Sequence, residues 1–259
     1  MSNSPALVVS VILDESGSMG SRVKPTIDGF NEYLQQLKKD NEGKKVLFSL
    51  TKFASCSNIV HSAELLENIP ELTGSTYCPG GSTALYDAVV NTVIELEKRV
   101  DEDSKVLVII MTDGEENAST DYHGVEGLEK VRSLLKSKTD EKNWAFIFLG
   151  ADTNAWSAGT LLGATASIQY NVADMKGTMK KMSAGTKAYS DSLCRGTVSA
   201  EALSADFIAA YDPDTTYNSN EEEEKEAEDL VKKILNKQVK GIDMLNTSGL
   251  DPNSKGDLK

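Results

Sequence analysis

Residues 14–18 read Asp-Glu-Ser-Gly-Ser, an Asp-x-Ser-x-Ser run that puts a carboxylate and two hydroxyls into a single short turn. Two more oxygen-rich points follow far along the chain, Gly80-Gly81-Ser82-Thr83 and Thr112-Asp113-Gly114. No histidine or cysteine falls inside these three motifs, so their donors suit a hard divalent cation such as Mg²⁺ or Mn²⁺ rather than zinc. Neutral hydroxyls leave such an ion poorly neutralised, and carboxylates standing behind water would complete the balance. Mg²⁺ sites also tend to keep waters or borrow ligands, which leaves room for an Asp or Glu carboxylate from another molecule. Taken singly, each residue has a plainer reading: Ser16 or Ser18 caps a helix, and Asp113 begins a turn.

The elements around the motifs decide whether they can meet. Ala6 to Leu13 is a continuous β-branched run of the kind buried on both faces of a parallel sheet, and it ends abruptly at Asp14. From Ser21 to Lys39 apolar residues recur at helical spacing, through Val23, Ile27, Phe30, Leu34 and Leu37. Strands are predicted at Lys45 to Ala54, Asn58 to His61, Lys105 to Thr112, Trp144 to Leu149 and Ala166 to Tyr170. Helices are predicted at Ala84 to Val100, Gly127 to Lys138, Ala155 to Leu162, Met175 to Leu193 and Ala200 to Tyr211. This alternation is that of an α/β chain, a doubly wound, mostly parallel central sheet with helices on both faces. In such a sheet, loops at the carboxyl ends of strands share one crevice, so Asp14, Ser16, Ser18, Thr83 and Asp113 can converge.

With that placement, the Asp-x-Ser-x-Ser run, the threonine of Gly-Ser-Thr and the Thr-Asp-Gly after a buried strand resemble the metal-ion-dependent adhesion site, or MIDAS, of von Willebrand factor A domains. The resemblance spans roughly Ala6 to Tyr170 and holds at all five positions. It implies that Ser16, Ser18 and Thr83 coordinate the metal directly, that Asp14 and Asp113 hold it through water, and that an acidic residue of a bound protein closes the shell. It also implies one antiparallel edge strand, for which Asn58 to His61 is the candidate. The function implied is a non-enzymatic, metal-dependent protein-binding module. Stand-alone domains of this appearance resemble those of bacteria and their viruses, a setting that implies work beside ATPase or chaperone-like complexes.

Composition narrows the remaining classes. The 259 residues carry 40 acidic and 27 basic side chains, a net charge of −13 that disfavours nucleic acid and anionic membranes as partners. Three cysteines without a Cys-x-x-Cys pair, and no apparent signal peptide or membrane span, lead us to expect a cytoplasmic protein. His61 and His123 are the only histidines, and there is no Gly-x-Ser-x-Gly elbow, P-loop or Gly-x-Gly-x-x-Gly, so neither triad hydrolysis nor nucleotide binding is indicated. A metal-assisted hydrolase, phosphatase-like and using the same cation, is the alternative from another class. It lacks a visible nucleophile paired with a base.

Other residues remain open between two readings. Glu15, Gly81 and Glu115 flank the motif loops and are candidate partner contacts, although Glu15, Glu115 and Glu116 read first as solvated loop charges. Cys78 reads as an idle thiol, and the Met175, Met179 and Met182 stripe as core packing. The domain is expected over residues 1–195, with a linker and a short helix over 196–220. An amphipathic helical tail over 221–246 would dock back, self-associate or bind a partner, and an unstructured end covers 247–259.

Overall fold

In the computed structural model, residues 6–151, 155–197 and 199–211 are described, and all belong to one compact unit. The expected tail helix over 221–246 and the end over 247–259 lie outside the described residues. Six strands form one sheet: β1 (Leu7–Asp14), β2 (Val46–Phe53), β3 (Ser57–Leu65), β4 (Lys105–Thr112), β5 (Ala145–Gly150) and β6 (Ala166–Gln169). Their spatial order is β3-β2-β1-β4-β5-β6. β1 lies parallel to both β2 and β4, and β4, β5 and β6 continue in parallel. β3 alone runs antiparallel, paired to β2 at the edge. All eight residues of β1 are buried, as its unbroken apolar run requires for a strand flanked on both sides and covered on both faces.

Six helices complete the unit: α1 (Val23–Asp40), α2 (Leu85–Arg99), α3 (Gly124–Lys142), α4 (Ala155–Leu162), α5 (Met175–Cys194) and α6 (Ala200–Tyr211). Because side chains alternate along a strand, the sheet feeds two separate cores. Val9, Val11, Leu13, Ile109 and Met111 pack on one face with Phe30 and Leu34 of α1, Met175, Met179 and Met182 of α5, and Leu203 and Phe207 of α6. Val8, Ile12, Val108 and Ile110 pack on the other with Val89 and Val93 of α2 and Val131 and Leu135 of α3. The methionine stripe is therefore core.

α6 differs from its expected place in a linker. Ala200, Leu203, Phe207, Ile208 and Tyr211 are buried in the first core. A Cβ on Gly185 of α5 would stand 2.9 Å from the Phe207 ring, so glycine permits the close approach of α5 and α6. The sheet order reverses between β1 and β4, the two strands whose carboxyl ends carry Asp14 and Thr112-Asp113. The topological switch point thus lies where the motifs are.

Candidate metal centre

Asp14 ends β1 with its side chain fully buried. Its Oδ1 accepts the Ser16 amide at 2.6 Å and its Oδ2 accepts the Thr112 hydroxyl at 2.6 Å, which ties the end of β1 to the end of β4. Burial pushes the Asp14 carboxyl above the ordinary carboxylate range, against the hydrogen bonds from Ser16 and Thr112, and the nearby charge of Asp113 pushes the same way. An ionised Asp14 is therefore destabilising where it sits, and a cation beside it would relieve that cost.

Beyond Asp14 the chain enters a short 3-10 turn (Gly17–Arg22) that presents the two serines. Ser18 Oγ donates to Asp113 Oδ1 at 2.5 Å, and Ser16 Oγ lies 3.0 Å from Ser18 Oγ. Ser18 has one proton, which goes to Asp113. A hydroxyl whose proton is taken by a carboxylate keeps oxygen lone pairs for a cation. Thr83, only 4% exposed, leaves Oγ1 without a hydrogen-bond partner among the described residues. A Cβ built on Gly114 would lie 3.2 Å from Thr83 Oγ1 and 3.9 Å from Ser18 Oγ, so the two hydroxyls converge on one point over Gly114.

Three loops are held in this register by backbone bonds. Gly17 N donates to the Gly81 carbonyl at 3.1 Å, Gly80 N to the Glu15 carbonyl at 2.9 Å, and Ala84 N to the Ala54 carbonyl at 2.7 Å. Gly81 sits at φ +76°, and a Cβ there would come within 2.5 Å of Ser55 Oγ, so the position demands glycine twice over. Thr83 is clamped by Asn117: its amide donates to Asn117 Oδ1 at 2.8 Å and its carbonyl accepts the Asn117 amide at 3.0 Å. Glu116 Oε2 accepts the Tyr86 amide at 2.9 Å in the first turn of α2, where the helix dipole favours an anion.

All five residues named from sequence as metal ligands come to the carboxyl edge of the sheet, joined directly or through Gly114. The three named as partner contacts divide. Glu115 and Gly81 are both exposed, and Gly81 also closes a loop through its carbonyl. Glu15 is held inside: both its carboxylate oxygens accept from Lys52 Nζ at 2.9 Å, and Oε1 also accepts the Cys78 amide at 2.5 Å. Its side chain is 15% exposed and that of Lys52 11%. Glu116 caps α2 and is not a free loop charge.

Sequence reasoning passed over several residues the site uses. Tyr77 donates its hydroxyl to the Asp14 carbonyl at 2.7 Å, and Thr112 bonds the Asp14 carboxylate. Arg22 Nη1 donates to Asp113 Oδ2 at 2.6 Å. For Arg22 a signal existed, a cation directly before a helix, where the macrodipole disfavours it. His61 bonds Glu64 and His123 meets the Thr120 carbonyl, on the sheet edge and before α3. Among the described residues no group of three or more His, Cys, Asp or Glu side chains could hold a metal, so any cation here rests on hydroxyls and two carboxylates. That donor set fits a hard divalent ion.

No family model and no curated protein matches the sequence. Solved structures do. The PilB minor pilin from Streptococcus sanguinis is 10% identical with a TM-score of 0.54, over 72% of this chain and 62% of that one. Proximal thread matrix protein 1 from the mussel byssus, in a form with a zinc-occupied MIDAS motif, is 15% identical with a TM-score of 0.50, over 70% and 45%. A von Willebrand factor type A protein from Catenulispora acidiphila is 15% identical with a TM-score of 0.49, over 71% and 43%. The chain thus spans between 43% and 62% of these proteins. At such identities the likeness to the pilin and the mussel protein establishes the fold alone, a doubly wound sheet with one antiparallel edge. Among the described residues no helix is long and apolar enough to cross a membrane.

Proposed function

We infer that this chain is a metal-dependent protein-binding module whose cation sits among Ser16, Ser18, Thr83, Asp14 and Asp113. The observation that carries the reading is the convergence of Thr83 Oγ1 and Ser18 Oγ over Gly114, with Ser18 already proton-bonded to Asp113. In this reading the three hydroxyls hold the ion directly and the two carboxylates hold it through water. The metal would supply a Lewis-acidic position that accepts a carboxylate from an Asp or Glu of the partner protein. The oxygen donors favour Mg²⁺ or Mn²⁺, although the mussel protein's MIDAS holds zinc.

Binding rather than catalysis is favoured because both histidines are engaged away from the site, which leaves its hydroxyls without a neighbouring imidazole base. The three cysteines are free and exposed, which suits a reducing, cytoplasmic setting. An ATPase or chaperone-like complex is the partner class the von Willebrand factor A reading suggests, with Glu115 at the exposed rim as a contact.

The test is capture from native lysate in Mg²⁺ followed by EDTA elution. The wild type is expected to release an acidic-surfaced partner with EDTA, while Asp14→Ala and Thr83→Ala capture none of it. Capture that resists EDTA and survives both substitutions would sink the reading.

A further inference from the structure

One charged side chain at the site has no part in the ligand set. Arg22 closes the 3-10 turn and points back into it, Nη1 donating to Asp113 Oδ2 at 2.6 Å and to the Ser18 carbonyl at 2.9 Å. Its side chain is 27% exposed, against 4% for Asp113. The location is electrostatically unfavourable on local grounds. Arg22 immediately precedes α1, and the first turn of that helix carries no acidic residue to offset the positive end of its dipole. Asp113 is the anion that compensates, so the guanidinium is held there by the same carboxylate that the metal site needs.

The charges show the consequence. Asp14 and Asp113 carry two negative charges when ionised, and Arg22 returns one positive charge to the same few ångströms. A divalent ion arriving beside Arg22 turns a net −1 into +1; without Arg22 it would turn −2 into an exact balance. A like charge held this close, at a partly buried site, opposes cation entry far more than a surface lysine screened by water and salt.

We propose that Arg22 is a built-in counter-cation that competes with the divalent metal for Asp113 and thereby sets the metal affinity of the site. The proposal rests on the metal-site reading above and goes beyond it by naming the residue that weakens the ion's hold. Arg22 acts through Asp113 and is a positioning residue, not a ligand. In the metal-free protein it neutralises a carboxylate that would otherwise repel Asp14. With a divalent cation held at the site, Asp113 would share its charge with that cation and its hold on the guanidinium would weaken.

The experiment uses Mn²⁺ alone as probe, titrated calorimetrically and by electron paramagnetic resonance into the full chain, as wild type, Arg22→Gln and Arg22→Lys. Arg22→Gln is expected to bind Mn²⁺ about tenfold more tightly, a gain that shrinks as salt is added. Arg22→Lys, which keeps the charge, is expected to stay within about threefold of wild type. In EDTA, Arg22→Gln should melt below wild type and gain more on adding Mn²⁺. Should that variant fold poorly, the wild type supplies its own readout: guanidinium NMR signals of Arg22 protected in EDTA and losing protection as Mg²⁺ is added. Wild-type binding with equal or weaker binding by Arg22→Gln, or protection unchanged by Mg²⁺ at saturation, overturns the counter-cation role and leaves the metal site standing. Absence of Mn²⁺ binding in all three proteins overturns the metal site itself, and the role of Arg22 with it.

Discussion

Ser18 and Asp113, 95 positions apart in the chain, share a 2.5 Å hydrogen bond from the serine hydroxyl to Asp113 Oδ1. The bond couples the turn after β1 to the turn after β4. It also disposes of the serine proton, so that the oxygen is left with lone pairs. Ser18 is exposed, so Ser18→Ala is expected to change unfolding free energy by no more than about 1 kcal/mol. Mg²⁺ affinity should nonetheless fall about 10–100-fold, the range typical when a partner around a metal is lost. Calorimetric titration beside a urea unfolding curve separates the two effects.

Asp14 is buried and carries a carboxyl pushed upward by desolvation, so its charge opposes folding when no cation is present. Asp14→Asn keeps an oxygen for the Ser16 amide and removes that charge. The EDTA-treated variant is expected to melt at or above the EDTA-treated wild type. With Mg²⁺ the order reverses: at a hundredfold excess over its dissociation constant, a ligand stabilises the wild type by about 2.7 kcal/mol, which the variant lacks. Melting curves in Mg²⁺ and in EDTA check both halves.

Glu15 anchors Lys52 and the amide of Cys78, and thereby the strand of chain that leads to Thr83. Removing its charge leaves a largely buried ammonium with weaker partners. Glu15→Gln is expected to destabilise the protein by about 1–3 kcal/mol in urea unfolding. A stability unchanged within about 0.5 kcal/mol, together with lost partner capture, would return Glu15 to the surface-contact role.

Burial raises the phenols of Tyr33, Tyr77, Tyr170 and Tyr189 far above the ordinary tyrosine value of 10.0, and that of Tyr86 to about 12. The unfolded chain therefore loses these protons first as pH rises. Stability tied to the neutral phenols is complete below pH 10.0 and declines above it, at up to about 1.4 kcal/mol per pH unit for each group. The urea midpoint should drop steeply above that pH, with tyrosinate absorbance appearing only on unfolding. The Tyr170 hydroxyl is buried without a hydrogen-bond partner among the described residues, so Tyr170→Phe should flatten part of the decline at no cost near neutrality.

The chain by itself determined the order of strands and helices, because the buried runs at Leu7–Asp14 and Lys105–Thr112 and the periodic apolar residues of α1, α2 and α5 report burial through residue type alone. It also marked five oxygen-bearing side chains as able to meet, since their motifs fall at strand ends and the winding of the sheet puts strand ends on one edge. Only the tertiary structure decided which charges are spent inside. Glu15 reads as a loop acid until Lys52, 37 positions away, is found beneath it. Arg22 stands out only as a cation before a helix, and its partner Asp113 comes to it from 91 positions away. α6 reads as part of a connecting segment until Phe207 is found against Gly185. The physical reason is common to all three: periodicity records how often a face is buried, whereas the partner of a particular charge or ring is chosen by packing between distant segments, for which local spacing holds no information.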